Sequence, residues 1–155
     1  MINPSGHEVI INNATEQMLR GNGTWDKFKK REFRIPGVGP EKSICLLLGG
    51  NGLGDSIHAL PAIWQKIHDG FEVTVYARAF DRPIFEAIGC KFFDESLQEG
   101  ADLSYYGAIY KLFMWLTDHE ADCGAGPIQL TRFEQFARLI DTTVPESFDF
   151  RKYLL

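Results

Sequence analysis

The chain has 155 residues, 45% of them hydrophobic and 24% charged. That is the composition of one folded domain, and it excludes a disordered chain, a collagen-like fibre and a coiled-coil rod. The formal net charge is −5, and residues 43–155 hold sixteen Asp and Glu against nine Lys and Arg. This acidic part argues against nucleic acid as the principal ligand.

Neither the N-terminal sequence nor the cysteines indicate that the protein is exported. No apolar run reaches the roughly 18–20 residues of a membrane-spanning helix, and the first residues lack the basic and apolar regions of a secretory signal. The cysteines, Cys45, Cys90 and Cys123, are widely spaced and form no CxxC pair. We therefore expect buried, reduced thiols and a cytoplasmic protein.

Residues 1–42 are predicted to be an N-terminal extension and linker, and residues 43–155 the folded domain. The extension ends in a basic cluster that is either a solvated helix face or a contact with anionic lipid or phosphate. Its members are Lys27, Lys29, Lys30, Arg31 and Arg34. Residues 36–40, Pro-Gly-Val-Gly-Pro, would break any helix and form the linker.

Strand and helix patterns then alternate in the order β-α-β-α-β. Residues 44–48 are continuously apolar, which is typical of a strand buried on both faces of a parallel sheet covered by helices. A helical pattern with Pro61 inside it follows, and the proline is expected to kink the early helix or distort its first turns. Further strands are predicted at residues 71–76 and 90–93, with a second helix between them. This order predicts an α/β fold, a Rossmann-like parallel sheet of four or more strands flanked by helices.

The patterns after residue 100 are less regular. Residues 105–110 are predicted to begin a fourth strand, and residues 112–116 to be a helix or a buried loop. Thr131 and Glu134 have the spacing of a capping box that starts a final helix. Spacing makes core candidates of Trp64, Phe80, Phe85, Trp115 and Phe136, and position makes cleft candidates of Tyr105, Tyr106 and Tyr110.

A glycine-rich turn, Gly-Gly-Asn-Gly-Leu-Gly-Asp, occupies residues 49–55 between the first strand and its helix. We call it the glycine turn. Turns of this kind are general ligand sites in α/β folds, because the helix N-terminus presents free N–H groups. The spacing fits neither the dinucleotide fingerprint GxGxxG nor a P-loop. Arg78 stands where the ribose-binding acid of a dinucleotide site is expected.

Asp55, at the end of the glycine turn, has two interpretations. The helix dipole and free N–H groups stabilise its ionised carboxylate, so it is either the helix N-cap or a charged group that acts as a general base toward a substrate hydroxyl. Asn51 either hydrogen-bonds a substrate or adopts a left-handed turn conformation. His58 either lines the cleft or is a partly buried helix residue.

Residues 118–123, Asp-His-Glu-Ala-Asp-Cys, carry side chains that can bind metals. Their spacing matches no standard zinc or calcium loop. A plain polar loop is the better interpretation, and the sequence predicts neither a metal nor another cofactor.

Residues 53–63, Leu-Gly-Asp-Ser-Ile-His-Ala-Leu-Pro-Ala-Ile, resemble the first βα turn of the heptosyltransferase-like glycosyltransferases, glycosyltransferase family 9. In that family a Leu-Gly-Asp is followed by a short apolar pair, a His or similar residue, and Leu-Pro-Ala. The elements through Phe93 fit the same half-domain. The helix at 131–140 with the following Val-Pro is similar to the stretch that closes the family's N-terminal domain, so the resemblance covers residues 43–150.

This resemblance implies the N-terminal, acceptor-side domain of a GT-B glycosyltransferase, in which two Rossmann-like domains face each other across a cleft. Asp55 would deprotonate the acceptor hydroxyl, and transfer would invert the anomeric centre without a required metal. Asn51, Gly52, Gly54 and His58 would bind the acceptor, a glycan or lipid-linked sugar in the biosynthesis of lipopolysaccharide or another glycan. The enzyme would work in the cytoplasm, peripherally at the inner membrane surface.

The nucleotide sugar belongs to the second half of that architecture, so we expect the chain alone to transfer no sugar and to bind a partner chain or itself. Family members commonly have a basic residue and serines before Leu-Gly-Asp, where this chain has Gly-Gly-Asn-Gly. Two other functions stay open. One is a non-catalytic binding or interaction module that reuses the domain, and the other is a nucleotide-dependent oxidoreductase, which the broken fingerprint disfavours.

Overall fold

A computed structural model describes residues 34–113, 115 and 130–154. In these ranges the chain forms five strands and four α-helices, with short 3₁₀ turns between some of them. They are β1 (Arg34–Pro36), β2 (Ser43–Leu47), α1 (Leu53–His68), β3 (Glu72–Ala77), α2 (Arg82–Ala87), β4 (Lys91–Asp94), β5 (Ala108–Lys111), α3 (Arg132–Leu139) and α4 (Phe150–Leu154).

The strands form one mostly parallel sheet in the order β1-β5-β2-β3-β4. β2 pairs in parallel with both β3 and β5, β4 pairs in parallel with β3, and β1 is antiparallel to β5. From β2 the chain adds β3 and β4 on one side and then returns to place β5 on the other. The protein is therefore a mixed α/β domain whose strand order is compatible with a Rossmann-like fold.

The continuously apolar segment is confirmed as the central strand. Its side chains alternate between two cores, with Ile44 and Leu46 on one face of the sheet and Cys45 and Leu47 on the other. Burial on both faces explains why the segment shows no polar alternation. Parallel neighbours on both sides also pair its backbone groups fully.

The larger core lies between one face of the sheet and the helices. Leu60 and Ile63 of α1, Phe85 of α2 and Phe136 of α3 are all fully buried in it. α1 continues without a break through Pro61, which the sequence predicted to kink or distort it. The capping box of α3 is confirmed, since the Thr131 hydroxyl accepts from the Glu134 N–H and the Glu134 carboxylate accepts from the Thr131 N–H.

The opposite face of the sheet carries a smaller core of Cys45, Leu47, Tyr76 and Ile109. It is covered by Ile35, Ala101, Leu103 and Tyr106, which belong to β1 and to the β4–β5 crossover. Among the described residues that crossover contains 3₁₀ turns and no α-helix. The expectation of a mostly parallel sheet flanked by helices is confirmed, and among the described residues the helices lie on one face while this loop covers part of the other.

The sheet begins inside the segment that the sequence assigns to the extension and linker. Arg34–Pro36 pair with Ala108–Tyr110 as an edge strand. The following glycines press against the loop before β5, where a Cβ on Gly37 would lie 1.8 Å from the Tyr106 carbonyl oxygen. The linker is thus bound to the sheet by close backbone contact, and only glycine fits there.

Several single-residue predictions are corrected or confirmed. Phe80 is 75% exposed and not in the core, because it lies in a 3₁₀ turn before α2. Tyr105 and Tyr106 precede β5, so they lie where that strand begins and not at its carboxyl end. Tyr110 is buried, and its hydroxyl donates to the Asp141 carboxylate. None of the three tyrosines occupies the predicted cleft position.

Cys45 and Cys90 are buried free thiols, as predicted. Burial raises the pKa of each thiol to about 12, so both are protonated at neutral pH. Cys123, the residues 118–123 and the basic residues 27–31 lie outside the described part of the chain.

Candidate functional site at the carboxyl edge of the sheet

The four parallel strands end at one edge of the sheet, which we call the carboxyl edge. β2 and β5 are neighbours there, but the chain runs from β2 to β3 on one side and places β5 on the other side only after β4. Ligands of open α/β sheets bind at such a switch point, in the crevice outside the strand ends. The glycine turn follows β2 directly, so Asn51, Gly52, Gly54 and Asp55 lie at this edge, and His58 lies one helical turn further along α1.

Asn51 ties the ends of β2 and β5 together. Its side-chain Nδ2 donates to the carbonyl oxygens of Leu48 and Leu112, each at 2.9 Å. The side chain is buried, yet its Oδ1 has no hydrogen-bond partner within the described ranges. An unpaired buried acceptor costs about 1–3 kcal/mol. Asn51 therefore connects the ends of β2 and β5, and its buried Oδ1 is left unpaired by the described residues.

Gly50 has the left-handed backbone, with φ +78°, that the sequence had considered for Asn51. A Cβ at Gly50 would lie 2.2 Å from the ring of Phe113, which follows β5. The ring therefore lies directly over the turn while 53% of Phe113 stays exposed. A glycine is required here both for its backbone conformation and for this close approach.

Asp55 is the third residue of α1, and Gly52 is its N-cap. The N-cap interpretation of Asp55 is therefore wrong, because the cap lies three residues earlier in the chain. One carboxylate oxygen, Oδ2, accepts a hydrogen bond of 3.0 Å from the Gly52 N–H. This is the returning half of a capping box, whose other half is missing because Gly52 has no side chain. The second oxygen, Oδ1, accepts no hydrogen bond from the described residues.

His58 lies one helical turn after Gly54. Its Nδ1 donates to the Gly54 carbonyl oxygen at 2.6 Å, and its ring packs against Phe133 of α3 with centroids 4.8 Å apart. His58 thus joins the start of α1 to α3. At Gly54 itself a Cβ would meet no atom of the described residues within 4 Å. The backbone beside Asp55 is open on this side, and an approaching molecule could contact it.

A buried carboxylate that the sequence did not single out lies behind the turn. Asp81 is 1% exposed; it accepts from the Ser56 hydroxyl at 2.9 Å and pairs with the Arg78 guanidinium at 3.0 Å. The guanidinium of Arg78, which follows β3, is thus paired with Asp81 and is not free to bind a nucleotide phosphate. No sequence signal marks Asp81, since it lies alone in a 3₁₀ turn and its partners are 3 and 25 residues away.

A second acidic group stands at the front of the crevice. Glu95 follows β4, and its Oε2 would lie 3.2 Å from a Cβ built on Gly49. Beside it, hydrogen bonds from Ser96 hold the pKa of Asp94 below its ordinary value. Two carboxylates, those of Asp55 and Glu95, therefore lie at the glycine turn, which itself contains no Lys or Arg. The charge of Arg82 acts on Asp94.

Exposed apolar side chains follow each parallel strand at the carboxyl edge. They are Leu53 after β2, Phe80 after β3, Leu97 after β4 and Phe113 after β5. Apolar groups arranged around a ligand crevice are typical of a surface that contacts a further molecule.

A separate cleft of about 480 Å³ runs along α3, lined by Leu130, Glu134, Ala137, Arg138, Thr142, Thr143 and Val144. It contains none of the predicted site residues. In the ranges that the structure describes, no three His, Cys, Asp or Glu side chains are grouped so as to hold a metal ion. Within the same ranges no helix is long and apolar enough to cross a membrane.

Comparison with known proteins gives no assignment: no family model, no curated protein and no solved structure matches the chain. The function must therefore be argued from the site.

Proposed function

We propose that the chain is the acceptor-binding N-terminal half of a heptosyltransferase-like inverting glycosyltransferase. The acceptor is a glycan or a lipid-linked sugar, and the donor is a nucleotide sugar held by a second domain. The proposal places the protein in the cytoplasm, at the inner membrane surface where lipid-linked acceptors lie. Its basis is the resemblance of residues 53–63 to that family, taken together with the position of those residues in the fold.

The observation that carries the proposal is the geometry of Asp55. The residue lies just beyond the central parallel strand, at the switch point where such sheets bind ligands. One carboxylate oxygen is held by the Gly52 N–H, and the other accepts nothing from the described residues. A carboxylate fixed in orientation with one oxygen available can accept a proton from a bound hydroxyl.

The chemistry then follows in one displacement. Asp55 takes the proton of the acceptor hydroxyl as its oxygen attacks the anomeric carbon of the donor sugar. The bond between that carbon and the nucleoside diphosphate breaks, and the diphosphate leaves with the bonding electrons. Attack from the face opposite the leaving group inverts the anomeric centre. General-base assistance of this kind contributes a factor of about 10²–10⁴ in rate.

Separate binding assays for acceptor and donor test the proposal. We expect the 155-residue chain to bind immobilised glycans on a glycan array. In calorimetric titrations with ADP-, GDP- and UDP-sugars we expect it to show no heat of binding. A carboxylate at the helix N-terminus repels a diphosphate, and the glycine turn offers it no cation. Micromolar binding of a nucleotide sugar, or an array without a single retained glycan, would contradict the assignment.

A second candidate, a non-catalytic interaction module, is favoured by the exposed apolar side chains of the carboxyl edge, above all Phe80. If these side chains bind another copy or another chain, sedimentation should show association that Phe80→Asp abolishes. Val38→Asp is the matched control, because Val38 is 83% exposed at the other end of the sheet. Association that survives Phe80→Asp would count against this candidate.

A further inference from the structure

Ser56 is the first buried residue of α1. It is 2% exposed, and it alone is buried among residues 53–57. The helix has no side-chain cap at Gly52, and a Cβ at Gly54 would meet no atom of the described residues within 4 Å. The buried apolar residues of the helix begin about one turn later, at Ala59. Ser56 is therefore the residue through which the first turn of α1 contacts the interior.

The partner of Ser56 is a carboxylate that is held from outside α1. The Ser56 hydroxyl donates to Oδ2 of Asp81 at 2.9 Å, and Asp81 is 1% exposed. The Arg78 guanidinium contacts both carboxylate oxygens, with Nη2 3.0 Å from Oδ1 and Nε 3.3 Å from Oδ2. Such a two-point contact fixes the plane of the carboxylate. The position of Asp81 therefore determines that of the Ser56 hydroxyl.

Stability alone does not explain a buried carboxylate at this place. Well-packed apolar side chains of similar volume often leave stability unchanged, or increase it, when they replace a buried ionic group. Apolar contact is non-directional, whereas a hydrogen bond has a narrow range of lengths and angles. The bond between Ser56 and Asp81 therefore specifies one rotation of the first turn about the helix axis more closely than packing would.

This rotation sets the direction in which the Asp55 side chain leaves the helix. Asp55 precedes Ser56, and successive residues of a helix differ by about 100° around its axis. A fixed Ser56 thus fixes the Cα–Cβ direction of Asp55. One oxygen of its carboxylate binds the Gly52 N–H, and the other accepts no hydrogen bond from the described residues.

We propose that Asp81 is a positioning residue, which acts through Ser56 to hold the Asp55 carboxylate toward the hydroxyl of the bound acceptor. The inference rests on the proposed function, and it adds to the site a residue that does not touch the acceptor. Asp81 lies outside the segment 53–63 and belongs to the turn between β3 and α2.

A double-mutant cycle on glycan affinity tests this role. The probe is the arrayed glycan that the unaltered chain binds most strongly, and calorimetric titration measures its dissociation constant. The proteins are the unaltered chain, Ser56→Ala, Asp55→Ala and the double variant. We expect Ser56→Ala to weaken binding several-fold when Asp55 is present, because the carboxylate is no longer held in place. In the Asp55→Ala background we expect little effect, since the group through which Ser56 acts is absent.

Two variants on the other side of the hydrogen bond complete the test. Asp81→Ala should weaken glycan binding by about the same factor as Ser56→Ala, because both remove the same hydrogen bond. Arg78→Gln is the matched control, since it removes the ion pair of that carboxylate and leaves the Ser56 bond in place. We expect urea unfolding to show a loss of stability in Arg78→Gln, and titration to show unchanged glycan affinity.

The outcomes separate the positioning role from the proposed function. Additive losses in the cycle would overturn the role of Asp81 and leave an acceptor site in place. The same holds if Arg78→Gln weakens glycan binding as much as Ser56→Ala, because affinity would then follow stability. If the unaltered chain binds no arrayed glycan, the acceptor-half proposal fails together with the inference.

Discussion

Gly54 is the residue where stability and the proposed acceptor binding make opposite demands. It lies in the first turn of α1, and a Cβ there would meet nothing within 4 Å. We expect Gly54→Ala to raise the free energy of unfolding by up to about 1 kcal/mol, because alanine loses less backbone entropy on folding than glycine. The same methyl group would stand beside Asp55 and hinder a bound acceptor.

The measurements for Gly54→Ala are urea unfolding and glycan binding. Higher stability with several-fold weaker glycan binding fits an acceptor site at the glycine turn. Higher stability with unchanged binding would place the acceptor elsewhere. Lower stability would mean that this position has less space than the structure shows.

Asp55→Asn separates a catalytic from a capping role. Asparagine can still accept a hydrogen bond from the Gly52 N–H, so we expect little change in the melting temperature. It cannot take a proton from a hydroxyl, so sugar transfer by the chain joined to a donor-binding half should fall by a factor of about 10²–10⁴. A single-turnover assay measures the chemical step. Full activity in the variant would leave Asp55 as a capping residue only.

At the scale of elements, Asp81 connects the end of β3 to the start of α1. Its carboxylate accepts from Ser56 and pairs with Arg78. We expect Asp81→Ala to lower the free energy of unfolding by about 1–3 kcal/mol, because the Ser56 hydroxyl loses its acceptor in a buried place. The loss stays below that of a fully buried ion pair, since the Arg78 side chain is 38% exposed and regains water.

Glu86→Gln is the control for Asp81→Ala. It removes the exposed ion pair between Glu86 and Arg82, which lie one turn apart in α2. Exposed pairs contribute little, so a change within about 0.5 kcal/mol is expected in urea unfolding. Equal losses in the two variants would show that the Asp81 network is no more than a surface pair.

The elements predicted correctly are those whose signals are local. The apolar run ending in glycines identified β2, and the Thr131–Glu134 spacing identified the start of α3. β1 was missed because three residues, Arg34–Pro36, become a strand only by pairing with β5. The exposure of Phe80 was missed because α2 begins later than its apolar spacing suggests, after a 3₁₀ turn.

In the candidate site, too, only the residues with a local sequence signal could be predicted. Asp55 and the glycines were found from sequence because they are contiguous. Glu95, Asp81 and the clasp between Asn51 and Leu112 could not be found, since each depends on which strand ends lie side by side. The neighbouring positions of β2 and β5 are a property of strand order, and a pattern along one segment does not specify it.

At the scale of the whole molecule, the two buried thiols predict how stability depends on pH. Cys45 and Cys90 have pKa values raised to about 12 by burial, whereas an unfolded cysteine ionises near 8.5. Between these values the folded state keeps the protons that the unfolded state has lost. Stability is therefore constant with respect to the thiols below about pH 8.5 and falls above it, by about 1.4 kcal/mol per pH unit for each thiol.

Chemical unfolding at several pH values between 8 and 11 measures this slope. Burial also raises the pKa of Tyr76 and Tyr110, which adds to the fall, and lowers the pKa of Lys66, which opposes it. The double variant Cys45→Ala/Cys90→Ala isolates the thiols, and we expect it to be less steep than the unaltered chain. The same slope in both proteins would show that the thiols ionise freely in the folded state.

The direction of β1 determines at which edge of the sheet a group attached ahead of Arg34 would lie. Because β1 runs against its neighbour, Arg34 is paired with Tyr110, near the end of β5. The polypeptide thus enters the sheet from the side on which the glycine turn lies. An affinity tag, fluorophore or fused protein joined directly ahead of Arg34 would be tethered at the carboxyl edge, two strands away from β2 and its glycine turn. Such an attachment would obstruct large ligands, and it would also serve as a proximity reporter for small ones.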